Sequence, residues 1–155
     1  MYELVRDDHD SLDGTLRALL QRGASDDALR ALLGVLRHAL AVHVEAEAAV
    51  LRLLVANVRG PRVVHMLAAQ TRAEHIDQLI AVDDLARVQP GSSEWYELIG
   101  ALRGHIRDHS RHAELASSTF RYHVPFGIQS LLTARYAHAR EQARAARMHP
   151  TDSSN

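Results

Sequence analysis

The chain consists of long stretches of 3.6-residue apolar periodicity cut by short turn signals, with almost no strand alternation. The signals are RGAS at 22–25, RGP at 59–61, QPGSS at 89–93 and HVPFG at 123–127. Glycine supplies a backbone turn, serine caps a helix start, and proline suits a first helical turn. The pattern predicts helices over about 2–22, 26–57, 62–88 and 93–121, and a shorter one over about 127–146. Long helices joined by short connections return antiparallel. The expected fold is therefore all-α: an up-down-up-down four-helix bundle with a short C-terminal fifth helix. The domain is expected to span 1–146, with a polar tail over 147–155. Gly34, Gly100 and Gly104 fall inside helices, where each costs about 1 kcal/mol against alanine. Close helix approach is the reason considered for them.

A chain of 155 residues, 46% of them apolar, suits one domain with a proper core. Basic and acidic residues are mixed, the net charge is −1, and no basic face stands out. Nucleic acid is not an expected partner. With no cysteine, disulfides, thiolate nucleophiles and cysteine-based metal sites are excluded. No apolar run reaches about 18 residues, so no membrane span is expected. MYELVRDDHDSL lacks signal-peptide features, so the expected location is cytoplasmic.

Eleven histidines beside two phenylalanines form an odd ratio. Their placement explains why the ratio matters. The first helix carries Val5, His9, Leu12, Leu16 and Leu19 on one stripe. The second carries Leu29, Leu33, Leu36, Leu40, His43, Glu47, Val50 and Leu54. The third carries Val64, Leu67, Thr71, His75, Leu79 and Val82. The fourth carries Leu98, Leu102, His105, His109, His112 and Ala116. Every core stripe is interrupted by histidine, and the second adds a carboxylate one turn later.

A lone histidine on an apolar stripe is usually a satisfied core residue, and HxxxE on a helix is often a surface contact. Seven ionisable groups on four converging stripes are different, because burying them unpaired costs several kcal/mol for each charged form. A metal ion removes that cost by binding neutral imidazole and ionised carboxylate, and helical bundles build such sites from facing helices. His38, His65, His123, His138 and His149 lie off the stripes or near helix ends and read as solvated.

The order His9, then H43VEAE47, then Glu74–His75, then His105 and His109 resembles the hemerythrin-like HHE domain, usually written H…HxxxE…H…HxxxE. The resemblance runs over nearly the whole chain. It implies a four-helix bundle around non-haem iron. Members of that family bind dioxygen, sense oxygen or nitric oxide, handle iron, or act on peroxide or other substrates. Carried over, it makes His9, His43, His75 and His105 terminal metal ligands and Glu47 a bridging carboxylate. His109 then stands where the family keeps its second bridging glutamate. Arg52 and Leu53 follow the first motif, and Glu114 and Leu115 the second, where the family often has an aromatic residue and a proline.

With Glu47 as the only carboxylate, three arrangements are open. One is a di-metal site with a solvent bridge and His109 as an extra terminal ligand, which is the arrangement favoured here. Another is a mononuclear site of several histidines and Glu47. In the third, Glu114 or an external carboxylate supplies the missing charge. His112 reads as a residue beside the ligands, with metal ligand or proton carrier as the sharper alternative. The expected cofactor is iron, two atoms in the favoured arrangement, with mononuclear iron or another divalent metal as alternatives. The expected function is binding or activating dioxygen, peroxide or nitric oxide. Alternatives are an oxidase or oxygenase acting on a small organic substrate, and a non-catalytic metal store or sensor. The oligomeric state is left open.

Overall fold

A computed structural model describes residues 1–57 and 62–148. Among these residues there are five helices and no strand: α1 (Tyr2–Leu19), α2 (Asp26–Asn57), α3 (Arg62–Leu85), α4 (Ser93–His123) and α5 (Phe126–Met148). The fold is the expected four-helix bundle with an added C-terminal helix. The RGP signal and the tail from 149 onward lie outside the described residues. Among the described residues, no helix is long and apolar enough to cross a membrane.

The turns work as their residues require. Gly23 and Gly91 stand at φ 94° and 75°, where a side chain would be strained. Ser25 Oγ accepts from the Ala28 N–H at 3.3 Å, and Ser92 Oγ from the Trp95 N–H at 3.1 Å. These bonds satisfy donors that a helix start leaves open. Val124 is extended at φ −105°, ψ 124°, because the proline after it disfavours helix, and so α4 ends. α1 and α3 stop about three residues earlier than expected. Their last carbonyls are taken up by tight turns, in which Gln21 bonds Ala18 and Arg87 bonds Asp84.

α1 packs on α2 and α4, and α3 packs on the same two, so the four helices close a ring. α5 lies along the outside of α2. The core falls into two clusters. One joins Leu12, Leu16, Leu36, Leu40, Trp95 and Ile106 among others. The other joins Val5, Val50, Leu54, Val64, Val124 and Tyr136 among others, and takes in α5. Gly34, Gly100 and Gly104 do not mark close approach, since a Cβ there would meet nothing within 4 Å.

Candidate metal centre

Between the two apolar clusters lies a belt of imidazoles. α1 contributes His9, α2 His43, α3 His75 and α4 His109, with 4%, 1%, 3% and 1% of each exposed. Each sits on the apolar stripe of its helix, so packing the stripes brings the four rings together. His9 Nε2 lies 3.2 Å from His43 Nε2, and His75 Nε2 lies 3.3 Å from His109 Nε2. Glu47, one turn past His43, places Oε2 3.0 Å from His75 Nε2, 3.2 Å from His109 Nε2 and 3.9 Å from His43 Nε2. One atom each from His43, Glu47, His75 and His109 fall within 4.8 Å of one another, the spacing of a metal-ligand set.

Two ligands about 2.1 Å from one ion, at tetrahedral or octahedral angles, stand about 3.0–3.4 Å apart. Several of these contacts have that length. Glu47 Oε2 also meets no donor in hydrogen-bond geometry, although two ring nitrogens lie beside it. These are atoms arranged about a shared point more than pairs bonded to each other. An ionised carboxylate oxygen and neutral imidazoles are a donor set that suits a divalent metal.

The outer ring nitrogens are held as well. His109 Nδ1–H donates to Glu74 Oε2 at 2.8 Å. His43 Nδ1–H donates to the Tyr136 hydroxyl at 3.2 Å, and Tyr136 donates in turn to Asp8 Oδ2 at 2.7 Å. Arg140 closes that chain with an ion pair to Asp8 Oδ1 at 2.7 Å. With the proton on Nδ1, each of these two rings turns an Nε2 lone pair inward, the tautomer that ligation needs. Glu74 also accepts from His112 Nδ1–H at 2.6 Å and from Gln70 at 2.9 Å.

The electrostatics suit a divalent cation at this point. Burial pushes His9 down to about 4 and holds His43 well below its ordinary 6.5, so both rings are neutral. Burial raises Glu47, but the imidazoles of His109 and His75 outweigh it and hold its carboxyl well below the usual carboxylate range. Burial would lower His109, yet the carboxylates of Glu47 and Glu74 raise it. Without metal, a proton on His109 is the positive charge that Glu47 requires.

The two halves of the bundle are related by a shift of 66 residues in sequence. The shift carries Asp8–His9 onto Glu74–His75 and His43 onto His109. It also carries Leu16, Leu19, Leu36 and Leu40 onto Val82, Leu85, Leu102 and Ile106, all of them buried. Both histidine pairs are 34 residues apart. The match fails at Glu47, whose counterpart is Ala113, and at Leu12, whose counterpart is Gln78.

This registry corrects the reading of α4. Its buried face is Trp95, Ile99, Leu102, Ile106, His109 and Ala116. The large side chains of Trp95, Ile99 and Ile106 fill that face, leaving Leu98 half-buried at the edge of the core and His105 exposed. His105 is exposed and lines a surface cleft with Glu74, Asp77 and Asp108. It does not join the cluster as the expected terminal ligand. His109 occupies the place of His43 in the second half, and the counterpart of Glu47 there is Ala113. His112 stands outside the cluster, bonded to Glu74 with its side chain 36% exposed. Glu114 is exposed and does not supply a carboxylate to the cluster.

Glu47 also lines a small, mostly apolar cavity of about 40 Å³, together with Thr71, Ala113, Phe120 and Tyr136 among others. Tyr136 and Asp8 were not singled out from sequence. The repeat of an acid before each histidine, Asp8–His9 and Glu74–His75, was the signal that could have found Asp8. Tyr136 follows no repeat, because α5 has no counterpart in the first half. No family model, no curated protein and no solved structure matches the chain.

Proposed function

We propose that this chain is a hemerythrin-like non-haem iron protein that binds or activates dioxygen or a related small ligand such as peroxide or nitric oxide. The observation that carries this reading is the convergence of the buried His43, His75 and His109 rings with Glu47 Oε2 from three helices, with His9 Nε2 beside His43. The nitrogen-rich set suits iron among other divalent metals. Iron held by His43, Glu47, His75 and His109 would supply a redox couple and a Lewis acid for a small ligand. The residues around it orient the imidazoles through Glu74 and Tyr136, keep water out, and leave a cavity at Glu47.

The spacing supports one ion over two. Two-metal sites hold their ions about 3.5–4 Å apart, with separate ligands on each. Here Glu47 Oε2 lies within 3.0–3.2 Å of Nε2 of both His75 and His109, and the two histidine pairs close to 3.2 and 3.3 Å. The mononuclear arrangement of histidines and Glu47 is therefore preferred to the di-iron site favoured from sequence. The cavity favours a small ligand over an organic substrate. One water needs about 10–15 Å³ of such space, and 40 Å³ holds only a few atoms. A cytoplasmic setting suits this reading.

The test is elemental analysis of purified protein, with an optical spectrum recorded before and after ferrous loading without air. One iron per chain, and a spectrum that changes on adding nitric oxide or air, is the expected result. A protein that arrives without metal and takes up no ferrous iron refutes the reading.

A further inference from the structure

The outer face of α3 carries an apolar stripe. Met66, Ala69, Ala73, Ile76 and Ile80 recur at alternating steps of three and four residues. All five are exposed, with Met66 at 61%, Ile76 at 52% and Ile80 at 56%. They lie opposite the buried face of Val64, His75 and Val82, so they point straight away from the bundle. α3 packs on α2 and α4, and α5 lies along α2, which leaves this face open. Single exposed apolar side chains are ordinary on any surface. The internal match shows that the fold does not require a stripe of them here. In α1 the positions that match Ala69, Ala73, Ile76 and Ile80 are Glu3, Asp7, Asp10 and Gly14, all exposed. The first half of the chain thus presents carboxylates to water where the second half presents alanine and isoleucine.

Steps of three and four over two heptads make the seam of a two-helix coiled coil, and alanine lets the helices approach closely. The two flanks of the seam differ in charge. Arg72 stands on one flank. Asp77 stands on the other, where it lines the surface cleft with Glu74, His105 and Asp108. Arg72 and Asp77 are both exposed, and neither has an ion-pair partner among the described residues.

We infer that this face of α3 is the docking surface for a second copy of the chain, with the two α3 helices parallel about a two-fold axis. In a parallel pair, a residue on one flank meets the residue five places later on the partner's opposite flank. Arg72 therefore meets the partner's Asp77, and the symmetry makes the contact twice. An antiparallel pair sets each flank against its own copy, acid against acid, which is unfavourable. The partner's Arg72 then stands at the mouth of the cleft that His109 also lines, beside the histidine belt. The seam from Met66 to Ile80 runs about 21 Å at 1.5 Å per residue. A seam that short buries less than the roughly 1,200 Å² of a tight complex, so the dimer forms and dissociates with concentration.

Sedimentation velocity over about a hundredfold range of concentration, up to high micromolar, tests this. Wild-type chain should pass from monomer to dimer. Ala73→Glu puts a charge in the middle of the seam and should stay monomeric. Arg72→Asp and Asp77→Arg each make both cross pairs repulsive and should weaken dimerisation at least about fivefold. The double exchange should restore it. Circular dichroism should show unchanged helix in every variant, since all these positions are exposed. The dimer does not depend on metal, so the same outcome is expected with and without iron. A wild-type chain that remains monomeric overturns the inference and leaves the stripe to a different partner. A dimer untouched by Ala73→Glu overturns it as well, by placing the interface elsewhere. Single exchanges without effect overturn the parallel pairing.

Discussion

Tyr136 donates its hydroxyl proton to Asp8 Oδ2 at 2.7 Å, joining the last helix to the first across 128 residues of sequence. The Tyr136 hydroxyl oxygen accepts from His43 Nδ1–H, so α5 sets the orientation of a ring at the centre of the bundle. Tyr136 is fully buried, and burial together with the Asp8 carboxylate raises its phenol far above its ordinary value. It remains a neutral donor at any ordinary pH.

Tyr136→Phe keeps the ring and removes the bond. Metal affinity should fall by about 10- to 100-fold, the usual loss when an outer partner of a ligand histidine is deleted. Competition with a chelator of known affinity measures it. Unchanged affinity would show that the hydroxyl has no part in orienting His43.

His109→Ala and His105→Ala differ by one turn of α4 and should give opposite results. The first removes a nitrogen 3.2 Å from Glu47 Oε2 and should abolish stoichiometric iron. The second removes an exposed ring and should leave iron content unchanged. Iron loss in the His105 variant alone would mean that the phase of α4 is wrong.

The metal-free protein should lose stability on mild acidification. His9 is pushed down to about 4 and His43 well below 6.5, both by burial. The unfolded chain binds protons on these rings near the ordinary 6.5 while the folded chain does not, so stability falls as pH drops from 6.5 towards 4. His9 alone contributes about 3 kcal/mol over that window. His109 is raised by Glu47 and Glu74, acts in the opposite direction, and offsets part of the loss. Urea midpoints at pH 7.5 and pH 5 measure the balance, and an equal or higher midpoint at pH 5 would sink the prediction.

Gln78 is fully buried, and neither polar atom of its side chain has a hydrogen-bond partner among the described residues. Its counterpart in the first half is Leu12. Gln78→Leu should therefore raise the stability of the metal-free protein, by about 1–3 kcal/mol for the unmet desolvation. A loss of stability in urea titration would show that the amide is satisfied by a bound water.

Much of this architecture was legible in the sequence, because helix periodicity and turn residues are local signals. Gly23, Ser25 and Ser92 each marked a boundary through their own backbone chemistry. The stripes of α1 and α2 read correctly because bulky leucines repeat without competition. α4 did not, since Leu98 and Ile99, and His105 and Ile106, stand side by side. Either member of each pair completes a stripe, and only the packing of Trp95 against its neighbours decides. Tyr136 was invisible for a different reason. Its role depends on where α5 docks, and docking is a property of the whole surface.

The histidine belt also divides the apolar interior into two clusters that share none of their buried residues. Four neutral or singly protonated rings give such a seam little cohesion, so without metal each side should open by its own route. Backbone amides of the Leu36–Trp95 side and of the Val50–Tyr136 side should then exchange with deuterium at different free energies. An ion held by His43, Glu47, His75 and His109 would join the two sides and give the bundle a single cooperative unfolding transition.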